Sequence, residues 1–345
     1  MPRGSPPMLR AIALAGLAAL TLSGCASLGV RQVGIDRGDY TQRLRDSEKA
    51  QLLSNIVALR HGDAPLFLNV TSVISQYTRE TSGTLGVALS PASDSDGGEA
   101  RGSILLRETP TVTYTPITGQ RFAHSMLAPM PPTTVLAMIE AGWASDDLLH
   151  VTVRSINGVS NASHSMLFEQ PNDNRFDRVA EAFRRLQRSG AVSLRMVQRD
   201  KFYAGTAHVA PVLSDADKAD LTFLAQTLDV KFDGDGANVV FAAQKSRDGE
   251  IAITTRSMFE VLGELSHGVD LTGQDQFAQD ALIRVHSGDR EPVRAHVAVK
   301  YHDRWFWIAS DDPASMRLFL LTQVLLFLND EEGASRAPLV TIPAG

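Results

Sequence analysis

The chain has one cysteine, Cys25, and it sits at the end of an apolar leader rather than in the body, so nothing after it can be stapled by a disulfide or built on thiolate chemistry. The body must be held by packing. A cut before Cys25 leaves 321 of the 345 residues, enough for one large core or two smaller ones, and the 43% hydrophobic content is that of an ordinary globular chain.

Residues 1–24 have the three parts of a secretory signal: positive charge at Arg3 and Arg10, an apolar stretch over 11–22, and small residues before the cut. Met8 would serve equally as a start. The apolar stretch falls short of the roughly 20 residues that a helix needs to cross a bilayer. Leu22-Ser23-Gly24-Cys25 resembles the lipobox of bacterial lipoproteins. That resemblance implies cleavage between Gly24 and Cys25, a thioether-linked diacylglycerol on Cys25 and a third acyl chain on its amine. Each buried methylene contributes about 0.8 kcal/mol and stable anchoring takes two chains, so three would fix the protein to its membrane. Ala26 stands where an inner-membrane retention signal carries Asp, which directs the expectation to the outer membrane of a Gram-negative cell, facing the periplasm. The alternative is a chance thiol in an ordinary signal.

Loss of the leader removes two arginines and no acid, leaving 31 basic against 39 acidic side chains and a formal charge of -8. Nucleic acid is excluded as an expected partner, because binding it requires a basic face that displaces counterions.

The pattern along the chain predicts an α+β fold with mixed, largely antiparallel sheets. A tether over 25–39 would precede two subdomains, 40–208 and 209–345. A helix is expected over 41–60, on the stripe Leu44, Leu52, Ile56 and Leu59. Alternation over 66–89 and again from Ile104 to Tyr114 predicts a long hairpin, with the polar stretch 90–99 as its loop. Helices are expected over 119–127, 133–142 and 174–188, the last stopped by Gly190, and strands over 148–156 and 192–196. In the second half, Ser214 with Asp217 and Ser257 with Glu260 read as capping boxes, around a strand at 238–243. Strands follow at 281–286, 295–301 and 304–309, the last two joined by a tight turn at His302-Asp303. A final helix starts at Asp312-Pro313; its segment 318–328 is apolar nearly all round, which predicts burial on more than one side. The chain is read as ending in a strand, 339–342.

No catalytic template fits. Gly158-Val159-Ser160-Asn161-Ala162 fails G-x-S-x-G at its last position, and neither a P-loop nor a dinucleotide fingerprint occurs. The nine histidines form no H-E-x-x-H and no close pair with metal-ligand spacing, so neither metal nor cofactor is expected. Asp233-Gly234-Asp235-Gly236-Ala237-Asn238 starts like a calcium loop but has Asn238 where the sixth-position Gly belongs and Gln244 at the twelfth; it reads as a turn.

Two clusters stand out. Tyr301, Arg304, Trp305 and Trp307 form a possible ligand or partner edge through stacking, or else a core strand with a solvated turn. The run Asn157, Ser160, Asn161, Ser163 and His164 is a binding loop or simply a loop.

At Asn55-Ile56-Val57-Ala58-Leu59-Arg60-His61-Gly62-Asp63-Ala64-Pro65-Leu66-Phe67-Leu68, at Ser155-Ile156-Asn157-Gly158 and at Tyr301-His302-Asp303-Arg304-Trp305-Phe306-Trp307-Ile308, the chain resembles a family of proteobacterial lipoproteins with no assigned activity. The resemblance implies envelope location and no catalytic residue. Three functions are therefore expected in order: a non-catalytic accessory or assembly factor binding another envelope component, a periplasmic hydrolase of cell-wall or carbohydrate material, and a small-ligand module.

Overall fold

The computed structural model describes residues 28–88, 97–165, 168–170, 173–199, 202–232 and 236–329. The expected signal, Cys25, most of the hairpin loop, residues 233–235 of the acidic turn and the terminal strand at 339–342 lie outside these residues. Helix α1 spans Leu28–His61, so it begins well inside the segment read as a tether. Its core side carries Leu53, Ile56 and Val57, all fully buried. Gly62, at φ 82°, ends it.

The chain then runs into the expected hairpin, β1 (Leu68–Ala88) and β2 (Gly97–Pro116), antiparallel with Leu68 opposite Pro116 and a register shift between Val70 and Ser72. At about 3.3 Å per residue these strands reach some 65–70 Å. Two amide side chains of α1 tie the start of the hairpin down. Asn55 accepts from Leu66 N (2.8 Å) and donates to Leu66 O (3.0 Å), and Gln51 does the same with Leu68 (2.8 and 3.3 Å).

Next come α2 (Gly119–Phe122), which passes into a π-turn at Ala123–Leu127, then α3 (Pro132–Glu140) and α4 (Ser145–Thr152). The strand expected over 148–156 is helical for its first five residues, and only β3 (Val153–Ile156) is extended. Leu148, Leu149, Val151 and Thr152 are all buried around a half-buried His150, and an apolar run this short does not separate helix from strand by its periodicity. Asn157 and Gly158, at φ 47° and 82°, turn β3 into β4 (Val159–Ser160).

The hairpin β5 (Ser163–Ser165) and β6 (Phe168–Gln170) leads to α5 (Arg175–Ser189), which Gly190 ends in the left-handed conformation, as expected. After β7 (Val192–Arg199), β8 (Phe202–Val209) is a strand that the sequence reading passes over. Helix α6 (Asp215–Leu228) and, later, α7 (Met258–Ser266) both open on complete capping boxes. Between them lie β9 (Ala237–Phe241) and the unforeseen β10 (Glu250–Thr255). The strand expected over 281–286 is β11 (His286–Gly288) instead; its place is taken by an irregular segment with a parallel bridge from Val269 to Val285. Strands β12 (Ala295–Tyr301) and β13 (Arg304–Ala309) pair through the left-handed pair His302-Asp303. Helix α8 (Pro313–Asn329) follows.

The sheets are mixed and mostly antiparallel, which makes this an α+β fold. One sheet has the order β4-β3-β10-β9-β8-β7, another β11-β13-β12. Strand β10 pairs antiparallel with β3 and parallel with β9, so segments on both sides of the boundary drawn at residue 209 share one sheet. The cores cross that boundary too: one joins Leu53 and Ile56 of α1 to Leu262, Phe306 and Phe319, and the other joins Phe176 and Leu186 to Leu224 and Ile251. Of α8, the face carrying Leu318, Phe319, Leu321 and Leu325 is buried, whereas Leu320, Phe327 and Leu328 are 51, 63 and 54% exposed; burial on more than one side is not what the fold gives this helix. Among the described residues, no helix is long and apolar enough to cross a membrane.

Candidate functional site

The capping box of α7 sets up a polar cleft. Ser257 Oγ accepts from Glu260 N (3.2 Å) while the Glu260 carboxylate accepts from Ser257 N (2.9 Å). With Val261, Leu262 and Leu265 buried beneath it, the helix presents Glu264 and, three residues on at its C-cap, His267 to one side. Gly268 then ends the helix against the chain that returns to β11. A Cβ there would sit 1.8 Å from Ile283 O, and Val285 N donates to Gly268 O (2.9 Å).

Just before α7, Arg256 is 2% exposed and heads the fully buried side chains by size among the described residues. Its guanidinium donates to His150 O (2.7 Å), Val151 O (3.4 Å) and Ala162 O, and lies 3.8 Å from Glu264. Asn161 donates to Val153 O (2.7 Å) and His150 O (3.0 Å). These two side chains thereby satisfy carbonyls at the C-terminus of α4 that the helix itself leaves unpaired. Burial draws the Arg256 pKa below its ordinary value, opposed by Glu264 and Glu260. A buried arginine held this way is a fixed positive charge behind Glu264.

Glu264 in turn holds His164 on β5. It accepts from His164 N (3.1 Å) and from His164 Nδ1 (2.9 Å). On the other side of the ring, His164 Nε2 is 2.7 Å from Asp280, and His267 Nε2 is 3.4 Å from the same carboxylate. The two imidazoles stack, 4.4 Å between centroids and 16° from parallel. The cleft, about 480 Å³, is bordered also by His150 and Asp177, whose side chains meet at 3.2 Å.

Of the polar run singled out in the sequence, His164 alone enters this cluster with its side chain, while its neighbours build the scaffold. Asn157 donates to Leu228 O (2.8 Å) and accepts from Ala252 N (2.6 Å), which ties the β3–β4 turn to α6 and β10. Arg256, Glu264, His267 and Asp280 escape sequence reasoning, because the first and last pairings to residues near 160 span about a hundred positions. The one local signal is Glu264 and His267 at helical spacing.

The aromatic edge is tied into the fold. Phe306 and Ile308 point into the core, which leaves Trp305 and Trp307 half-buried on the opposite face of β13. Trp307 stacks on His286 (5.6 Å, 15°). Tyr301 donates to Asp63 Oδ2 (2.6 Å), a bond that pushes its phenol up to about 12, and Arg304 donates to Leu271 O (3.4 Å). Tyr301 and Arg304 thus spend polar contacts on the protein itself.

A separate groove of about 310 Å³ lies where α1, the hairpin root and the end of α8 meet. Leu44, Glu48, Leu68, Tyr114, Met126 and Phe327 line it. Tyr114 and Phe327 are 52 and 63% exposed, and burial raises the Glu48 pKa above the usual carboxylate range.

No family model, curated protein or solved structure matches the chain.

Proposed function

We propose that this is a lipid-anchored periplasmic protein of the Gram-negative outer membrane, held through Cys25, that acts as an accessory or assembly factor by binding another envelope protein. The lipobox-like Leu22-Ser23-Gly24-Cys25 and the resemblance to proteobacterial lipoproteins support the anchor. The observation that carries the binding role is the apolar side chains kept in water around the groove, Leu68, Tyr114 and Phe327, with the exposed Leu66 and Leu328 close to them in sequence and the exposed Leu127 next to the groove residue Met126. Apolar surface gathered this way marks an interaction site more often than solvent contact. Anchoring by acyl chains confines the protein to a surface and raises the effective concentration of a partner held in the same membrane.

The test is crosslinking and co-purification from detergent-solubilised envelopes with Cys25 intact, comparing the wild type with Leu68→Glu/Phe327→Glu. Crosslinks that map to the groove and disappear in the variant support the proposal. Absence of a specific partner, or capture unaffected by the two charges, overturns it.

A second reading, a periplasmic hydrolase of cell-wall or carbohydrate material, is favoured by one observation: a histidine set between two carboxylates, Glu264 and Asp280, in an open cleft. The third, a small-ligand module at Tyr301, Arg304, Trp305 and Trp307, has less support, since three of those side chains, Tyr301, Arg304 and Trp307, are engaged within the fold.

A further inference from the structure

We infer that His164, His267 and Asp280 form a binding site for a divalent transition-metal ion, with zinc the ion the donor set suits. One ligand atom from each of the three side chains lies within 4.8 Å of the others, and these residues are the set that could converge on an ion among those described. Two imidazoles and a carboxylate suit zinc, which takes such donors at about 2.0–2.2 Å in tetrahedral geometry. Three protein ligands leave the fourth position open to the cleft.

The geometry around His164 carries the argument. Glu264, 5% exposed, accepts from His164 N (3.1 Å) and meets Nδ1 at 2.9 Å, which leaves Nε2 as the nitrogen that faces the cleft. Nε2 lies 2.7 Å from one oxygen of Asp280, and His267 Nε2 approaches the other oxygen of the same carboxylate at 3.4 Å. The two rings stack 4.4 Å apart, so both nitrogens and the carboxylate converge on one side of the cleft.

The supporting groups are those a metal-bound histidine uses. A carboxylate on the far nitrogen sets the tautomer and makes the ring a better donor, and Glu264 holds that place. Asp280 has a side chain 53% exposed on an irregular segment, so it can withdraw from direct contact to ligand distance. The inference is independent of whether the body binds a partner or hydrolyses a substrate.

Isothermal titration of Zn²⁺ into the EDTA-stripped full chain in detergent tests it. One ion per chain is expected, with a dissociation constant of about 1 µM or tighter, weakened at least about 100-fold in His164→Ala/His267→Ala. Glu264→Gln keeps every ligand and loses its carboxylate charge, so affinity falls about 10- to 100-fold. His302→Ala, on the far hairpin turn, leaves binding unchanged. Circular dichroism of each variant confirms that it is folded. No binding tighter than about 100 µM, or binding that survives the double variant, overturns the site.

Discussion

Arg256 shows how a single charge can organise a fold. It is buried and hydrogen-bonded to carbonyls from α4 and from the link between β4 and β5, and it stands behind Glu264 of α7. Removing one partner of a buried ionic cluster leaves the other unpaired, and such losses run to about 3–5 kcal/mol. Arg256→Met should cost about that much in urea unfolding, and Arg256→Lys should rescue little, because an ammonium cannot span three carbonyls as a planar fork does. A loss below about 1 kcal/mol would mean that the carbonyls find other donors. None of this could be read from the residues: Arg256 sits in an unremarked Thr-Thr-Arg-Ser stretch, and the carbonyls it holds lie about a hundred positions away. Asn161 and His164 were visible as a polar run, yet whether each binds a ligand or ties down backbone depends on what faces it.

At the level of elements, the signals that held are those that act within four residues. Both capping boxes form, Gly190 stops α5, and His302-Asp303 makes the β12–β13 turn. Ser257 links this level to the site, because its box fixes the start of the helix that carries Glu264 and His267. Ser257→Ala should cost about 1 kcal/mol of stability, measured by thermal or urea unfolding. A change within experimental error would show that tertiary packing alone sets the helix start. Elements were missed where burial removed the pattern. The buried run of α4 is too short for its period to show, and β10, with Ile251, Ala252 and Ile253 buried between β3 and β9, does not alternate.

For the whole molecule, the proposed anchor and groove make a joint demand. The chain must reach the membrane through Cys25 while the face formed by α1, the hairpin root and α8 remains accessible. Cys25→Ser should block maturation and move the protein out of the membrane fraction, scored by fractionation and by the mass of the mature chain; an unchanged membrane fraction would refute lipidation at this residue.

The amino-acid sequence by itself determined the α+β class, the capped helix starts at Ser214 and Ser257, the helix stop at Gly190 and the long hairpin, because caps, turns and alternation are properties of neighbouring residues. Only the tertiary structure decided that the two halves interleave in one sheet and that His164, Glu264, His267 and Asp280 meet. Those contacts are fixed by which faces the chain buries once its distant segments close on each other, and no local periodicity encodes that closure.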